Sequence, residues 1–183
     1  MNPTLYFLRS SEQKIATDML RYALRLDLLG KTLDDLPALR IYEKQYGLSH
    51  KDLGLYALAG HEVAGAAWIR LLDEASGAAG FVDKATPLLT IGVKPPFRGR
   101  GIGSAMLEQL LLEAGALYEQ ISVSVRSDSP AVRFYERFGF VRIAGSEGAS
   151  PVDGSEVFTM VRTLERGEIK RPEEGYDPTY WMD

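Results

Sequence analysis

The chain has 183 residues, 45% hydrophobic and 25% charged, which is enough for one globular domain with a full core. Its net charge of −4 gives no overall attraction to nucleic acid or to an anionic membrane. It has no cysteine, which excludes disulfides, thiolate metal sites and a cysteine nucleophile, and its two histidines are too few for a histidine-rich metal centre. No apolar run reaches the ~18 residues of a membrane span, and MNPTLYFLRS lacks the layout of a signal peptide, so a cytoplasmic location is expected.

Residues 4–8 are a strand candidate. Ser10 and Gln13 form a candidate capping box, after which Ile15, Met19, Tyr22, Leu26 and Leu29 keep a helical face as far as Gly30. Asp34 or Asp35 can cap a second helix from Pro37, with Leu39, Tyr42 and Tyr46 as its buried stripe and Gly47 as its end. Leu53–Ala59 and residues 63–72 are two strands joined at Gly60-His61, a hairpin with Trp68 in the core. Residues 73–84 are small and polar enough for a loop.

The run LLTIGVKPPFRGRGIGSAMLEQLLLEA follows, at residues 88–114. Leu88–Val93 is short and rich in β-branched residues, as a buried strand is, and Pro95-Pro96 stops it because neither proline can donate a ladder hydrogen bond. Ile102, Met106, Leu107, Leu110, Leu111 and Ala114 then recur at helical spacing, with Gly115 placed to end the helix. Between strand and helix lies Arg98-Gly99-Arg100-Gly101-Ile102-Gly103. Glycines let the backbone approach a ligand closely, and the first N–H groups of a helix are unpaired at the positive end of its dipole. That combination suits phosphate, with Arg98 and Arg100 adding charge. There is no Gly-Lys-Ser/Thr for a P-loop, and the glycine spacing misses the dinucleotide fingerprint.

Residues 121–125 (ISVSV) alternate as a strand, and Ser129-Pro130 can start a helix that Gly139 ends. Residues 140–144 and 157–163 are two further strands around a loop. From Leu164 the chain turns charged and then aromatic, with Tyr176, Tyr180 and Trp181 near its end. We therefore expect a domain over residues 1–163 and a tail over 164–183 that is either docked or disordered.

Arg98-x-x-Gly101-x-Gly103 resembles the acyl-CoA pyrophosphate loop of the GNAT superfamily of N-acetyltransferases. Asp128-x-x-Ala131-x-x-x-Tyr135, closing on Gly139-Phe140, resembles the second signature of that family, in the family's order and spacing. One position departs: Asp128 stands where the family usually has Asn. An ionised Asp only accepts hydrogen bonds, so a contact needing an amide donor is in doubt, and Asp128 can instead support the start of its helix.

The resemblance implies an α+β fold: a mixed, mostly antiparallel sheet of about seven strands, splayed in the middle and flanked by about four helices. Acetyl-CoA would lie in the splay as acyl donor. Backbone groups of Ile91 and Val93 would pair with its pantetheine amides, and amides from Gly99, Arg100, Gly101, Ile102, Gly103 and Ser104 would hold the pyrophosphate beside Arg98. Asp128, Ala131 and Phe134 are further contacts carried over from the second signature.

The implied activity is acetyl transfer to a primary amine by direct attack, the acceptor being a small molecule or a peptide, with no nucleic acid or membrane partner. A homodimer is possible. Tyr135 suits protonation of the departing sulfur, because a phenol's pKa exceeds that of a thiol, and the Val93 N–H can polarise the thioester carbonyl. The competing reading makes Tyr135 a core residue, since Ala131, Phe134 and Phe138 share its spacing.

The general base stays open among Glu43, Glu62, Asp83 and a water relay through Thr90, Ser122 or Ser124. His50 and His61 are expected to be exposed, and Arg133 and Arg137 to form a solvated face. Asp34, Asp35, Glu43, Asp73, Glu74 and Asp83 hint at a cationic acceptor. The alternative function is a non-catalytic acyl-CoA sensor or an interaction module.

Overall fold

The structure, a computed structural model, describes residues 3–166. Its elements run β1 (Thr4–Phe7), α1 (Gln13–Ala23), α2 (Leu26–Leu29), β2 (Leu53–Ala59), β3 (Glu62–Arg70), β4 (Leu88–Val93), α3 (Ile102–Ala114), β5 (Gln120–Arg126), α4 (Ala131–Arg137), β6 (Val141–Arg142), β7 (Gly148–Ala149) and β8 (Glu156–Thr163). The eight strands form one sheet in the order β1-β2-β3-β4-β5-β8-β6, with β7 also on β8. All pairings are antiparallel except β4 with β5. This is the mixed sheet that the sequence implies, with β7 added inside the loop before the last strand.

Strand alternation divides the core between the two faces. On β3, Ala67 and Ile69 join the cluster made with α3 (Met106, Leu107, Leu110) and with Tyr135 and Phe140. Ala66 and Trp68 point the other way, into a cluster with Ala16, Met19 and Leu20 of α1 and with Leu39, Tyr42 and Tyr46. Trp68 is fully buried and donates its Nε1–H to the Tyr42 carbonyl at 2.8 Å, which satisfies the polar handle of the ring. Arg70 donates to the Lys44 carbonyl at 2.7 Å and pairs with Asp52 at 3.4 Å. Together they pin the segment 37–46 onto the sheet.

Local signals differ from expectation in five places. The first helix does not run to Gly30: it stops after Ala23, and Arg25 takes a left-handed conformation (φ +57°) before one more turn of helix. Its entry is held by the Glu12 carboxylate, which accepts the Arg9 N–H at 3.0 Å, rather than by Ser10 and Gln13. The stretch from Pro37 is 3₁₀ rather than α, over Pro37–Tyr42, although Leu39, Tyr42 and Tyr46 are buried as expected. Asp35 does not cap it, since its carboxylate accepts the Thr32 N–H at 2.8 Å. Gly115 stays right-handed (φ −61°), because the chain coils on until Tyr118 donates its N–H to the Ala114 carbonyl. The aromatics Tyr176, Tyr180 and Trp181 lie outside the described residues.

One close approach sets the position of α1. A Cβ at Gly92 would stand 2.8 Å from both the Ala23 nitrogen and the Met19 oxygen, so the last turn of α1 lies directly on β4. The obstructing atoms are backbone and cannot swing aside. Gly92→Ala is therefore expected to destabilise the fold by ~1–3 kcal/mol through overpacking, read as a lower urea midpoint. An unchanged midpoint would mean that α1 is not seated there.

Candidate active site

β4 and β5 part soon after they meet. They share a single register position, Leu88 opposite Ser122, closed by the Ser122 N–H on the Pro87 carbonyl at 3.0 Å. On its other edge β4 is paired with β3 along its full length, from Leu88–Arg70 to Val93–Gly65. The Lys94 N–H reaches the Ala64 carbonyl at 2.8 Å, and by antiparallel alternation Gly92 and Thr90 also bond toward β3. Ile91 and Val93 therefore aim their backbone groups at the gap, as the resemblance implies.

The gap is a cavity of about 360 Å³ open to both faces of the sheet. Ile91, Val93, Gly103, Ala131, Phe134 and Tyr135 line it from the α3 and α4 side. Tyr22, Arg25, Leu29 and Tyr42 line it from the α1 side, and Ser150–Asp153 close its rim.

At the start of α3, Gly99 (φ +75°) and Gly101 (φ +80°) are left-handed, a conformation that glycine takes without steric penalty. A Cβ on either would meet nothing within 4 Å, so the backbone there is open for close approach. Gly101 caps the helix without a side-chain hydrogen bond, and the first internal bond is from the Ala105 N–H to the Gly101 carbonyl at 3.0 Å. The N–H groups of Ile102, Gly103 and Ser104 are thereby left for an anion.

Two charged residues do other work than the sequence suggests. Arg98 folds back rather than reaching outward: its Nε donates to the Val93 carbonyl at 2.9 Å and its Nη2 lies 3.8 Å from Asp27. It ties the glycine loop to the end of β4 and uses the Val93 carbonyl, leaving the Val93 N–H toward the cavity. Asp128 does not line the cavity; it pairs with Arg126 at 3.3 Å and its side chain is 74% exposed. Arg100 lies over the Phe97 ring, 5.9 Å from its centroid.

Tyr135 is buried, with edge-on contacts to Phe134 and Phe140 at centroid distances of 5.3 Å. The ring is core and the residue also lines the cavity, so the two readings of its spacing do not exclude each other. Burial pushes the phenol's pKa well above its ordinary value, and the Arg25 guanidinium offsets part of that rise. At neutral pH the hydroxyl carries its proton, the state required of an acid.

The base candidates lie elsewhere. Glu43 is buried and accepts from Thr17 at 2.8 Å, Glu62 pairs with Lys94, and Asp83 accepts the Thr86 hydroxyl at 2.9 Å. Thr90 and Ser124 line the cavity, while the fully buried Ser122 hydroxyl does not. Asp34, Asp35, Asp73 and Glu74 are also absent from the lining, so the acidic hint toward a cationic acceptor loses its basis.

The residues that sequence reasoning missed are Arg25, Arg126 and Asp153. Arg126 pairs with Asp153 at 3.5 Å, and hydrogen bonds from Ser155, with Arg126 and Lys31 nearby, hold the Asp153 carboxyl below the usual range. Only the left-handed turn at Arg25 could have pointed there, and no residue type announces it.

The family model for the acetyltransferase (GNAT) domain matches residues 52–142. The N-alpha-acetyltransferase RimI of Mycobacterium tuberculosis is 37% identical over 76 residues, 40% of this chain and 46% of that protein. An uncharacterised protein of Mycobacterium leprae is 38% identical over 74 residues, 40% of this chain and 20% of that protein. The chain thus spans less than half the length of the curated relatives it matches. In fold it is similar to a phosphinothricin acetyltransferase from Sinorhizobium meliloti in complex with acetyl-CoA (TM-score 0.64, 19% identity, 97% of each chain). It is likewise similar to a putative acetyltransferase from Salmonella typhimurium with its cofactor acetyl-CoA (TM-score 0.64, 19% identity, 96% of this chain and all of that one).

Burial makes a prediction about alkaline pH. Desolvation raises Tyr42, Tyr46 and Tyr135 above the ordinary tyrosine value, and Tyr118 is pushed up to about 12. Above pH ~10 the unfolded chain releases phenolic protons that the folded chain keeps, so stability falls as pH rises through that window. Denaturant titrations across it should show a declining midpoint, with phenolate absorbance lagging that of free tyrosine. A flat midpoint would contradict the burial of these hydroxyls.

Proposed function

Because this chain belongs to the GNAT superfamily of acetyltransferases, we propose that it transfers an acetyl group from acetyl-CoA to a primary amine, by direct attack with both substrates held together. One observation carries the reading: the parted strands leave the backbone of Ile91 and the N–H of Val93, the open start of α3 and a buried protonated phenol around one cavity. The residues present fit the donor. Unpaired amides at Ile102, Gly103 and Ser104 suit its diphosphate, and the edge of β4 suits the amides of its arm. When bound, acetyl-CoA supplies the activated acyl group.

The chain's own part is positioning, polarisation and proton delivery. Holding two reactants in line is worth several kcal/mol without a covalent nucleophile. The Val93 N–H polarises the thioester carbonyl, and its direction is secured by Arg98, which holds the carbonyl of the same residue at 2.9 Å. Tyr135 gives its proton to the departing sulfur and recovers it from solvent. The amine's proton leaves by water past Thr90 and Ser124, both on the cavity wall, in place of a dedicated carboxylate. Asp153, the one carboxylate lining the cavity among the described residues, is paired and held ionised, which makes it a weak base.

Thiol release from acetyl-CoA across amine classes tests this reading. Tyr135→Phe keeps the ring packing and removes the proton, so kcat should fall by ~10²–10⁴, about 3–5 kcal/mol in barrier, with coenzyme A affinity by calorimetry kept near native. Full turnover in that variant would remove Tyr135 from the chemistry. Coenzyme A binding without thiol release from any amine would favour the sensor, and no coenzyme A binding would reject the assignment of the cleft.

A further inference from the structure

Among the described residues three arginines line the cavity, Arg25, Arg98 and Arg126, against one acidic residue, Asp153. Two of the three are committed. Arg98 is bonded to the Val93 carbonyl and faces Asp27, while Arg126 lies between Asp128 and Asp153. The Arg25 guanidinium has no hydrogen-bond or ion-pair partner among the described residues, and Arg25 stands on the α1 side of the sheet. The free amides of α3 stand on the other side, so a diphosphate gripped there does not call on Arg25.

Its backbone is also unusual. A left-handed conformation at an arginine is uncommon, and such strain persists where the surroundings hold it in place. The surroundings here are the last turn of α1 seated on Gly92 and the turn of α2 that starts immediately after. The backbone of Arg25 is thereby held on the α1 side of the cavity, and its side chain is close enough to the Tyr135 hydroxyl for its charge to be felt there.

We propose that Arg25 recognises the acceptor, and that the acceptor carries a carboxylate beside its amine: an amino acid or small amino-carboxylate rather than a polycation. This rests on the acetyl-transfer reading above. A guanidinium offers a planar fork of donors that matches a carboxylate in two parallel hydrogen bonds. A cationic acceptor would instead enter against an uncompensated like charge. The size agrees, since about 360 Å³ shared with the end of a pantetheine arm leaves room for a small molecule.

The test uses the full chain, acetyl-CoA and matched acceptors: α-amino acids, their carboxamides, and spermidine as the polycation. The native protein is expected to favour acids over amides by about tenfold or more in kcat/KM. Arg25→Gln should lower that ratio by roughly tenfold, through KM for the acid, and Arg25→Lys should retain an intermediate value. Preference for amides or spermidine, an unchanged ratio in Arg25→Gln, or an equal loss of coenzyme A affinity in that variant would overturn the proposal. So would coenzyme A binding with neither turnover of amino acids nor any shift in melting temperature on adding them. Failure to bind coenzyme A at all, or release of no thiol with any amine, would instead strike the acetyl-transfer reading and take this one with it.

Discussion

The structure depends on two neighbouring strands that refuse to stay paired. β4 and β5 touch at one register position and then diverge, each held along its far edge by an antiparallel partner, β3 for one and β8 for the other. The twist natural to a sheet carries such strands apart once nothing bridges them. Gly80 sits at the fork, so close to the Ser124 nitrogen and the Leu88 side chain that a Cβ would lie within 3 Å of both. The result is a sheet with a slot through it whose walls include unpaired backbone, a costly arrangement unless a ligand or water completes it.

That slot joins the two faces of the sheet and lets them divide the labour. One face offers the phosphate-type site at the start of α3, together with Phe134 and Tyr135. The other offers the junction of α1 and α2 with Arg25 and Tyr42, held in place by Gly92 and by the bond from Trp68 to the Tyr42 carbonyl. On the proposed reading, two substrates entering from opposite faces would meet in this slot, which Val93 and Tyr135 both line. Arg98 links the two halves by spanning the end of β4, the glycine loop and Asp27 of α2.

Electrostatics at the slot follow from which charged residues reach its lining more than from the formal charge of the chain. The chain is acidic overall, yet its acidic loops turn outward or pair locally, as Asp34 does with Arg40 at 2.7 Å and Asp83 with Thr86. The lining retains three arginines and one aspartate. Net charge therefore misleads about the site, because screening over about 8–10 Å leaves the charges nearest the cavity to set its potential rather than the sum over the chain.

Much of this was legible in the residue order, and for identifiable reasons. Strands such as Leu53–Ala59 and Leu88–Val93, and the helix Ile102–Ala114, appear with the bounds that hydrophobic period and Gly/Pro punctuation assign to them. The glycine loop and the Ala131–Tyr135 spacing are local patterns, and local patterns survive folding. What the order of residues could not determine was anything set by contact between distant segments. The break at Arg25 depends on α1 meeting β4, the turning inward of Arg98 depends on a carbonyl left free by the splay and on Asp27 of α2, and the pairing of Arg126 with Asp153 depends on the loop before β8 reaching the end of β5. Sequence by itself determined the elements and the glycine-loop motif, because spacing is local; the tertiary structure alone decided which charged residues line the slot, because that depends on which side chains remain unpaired once the sheet is assembled.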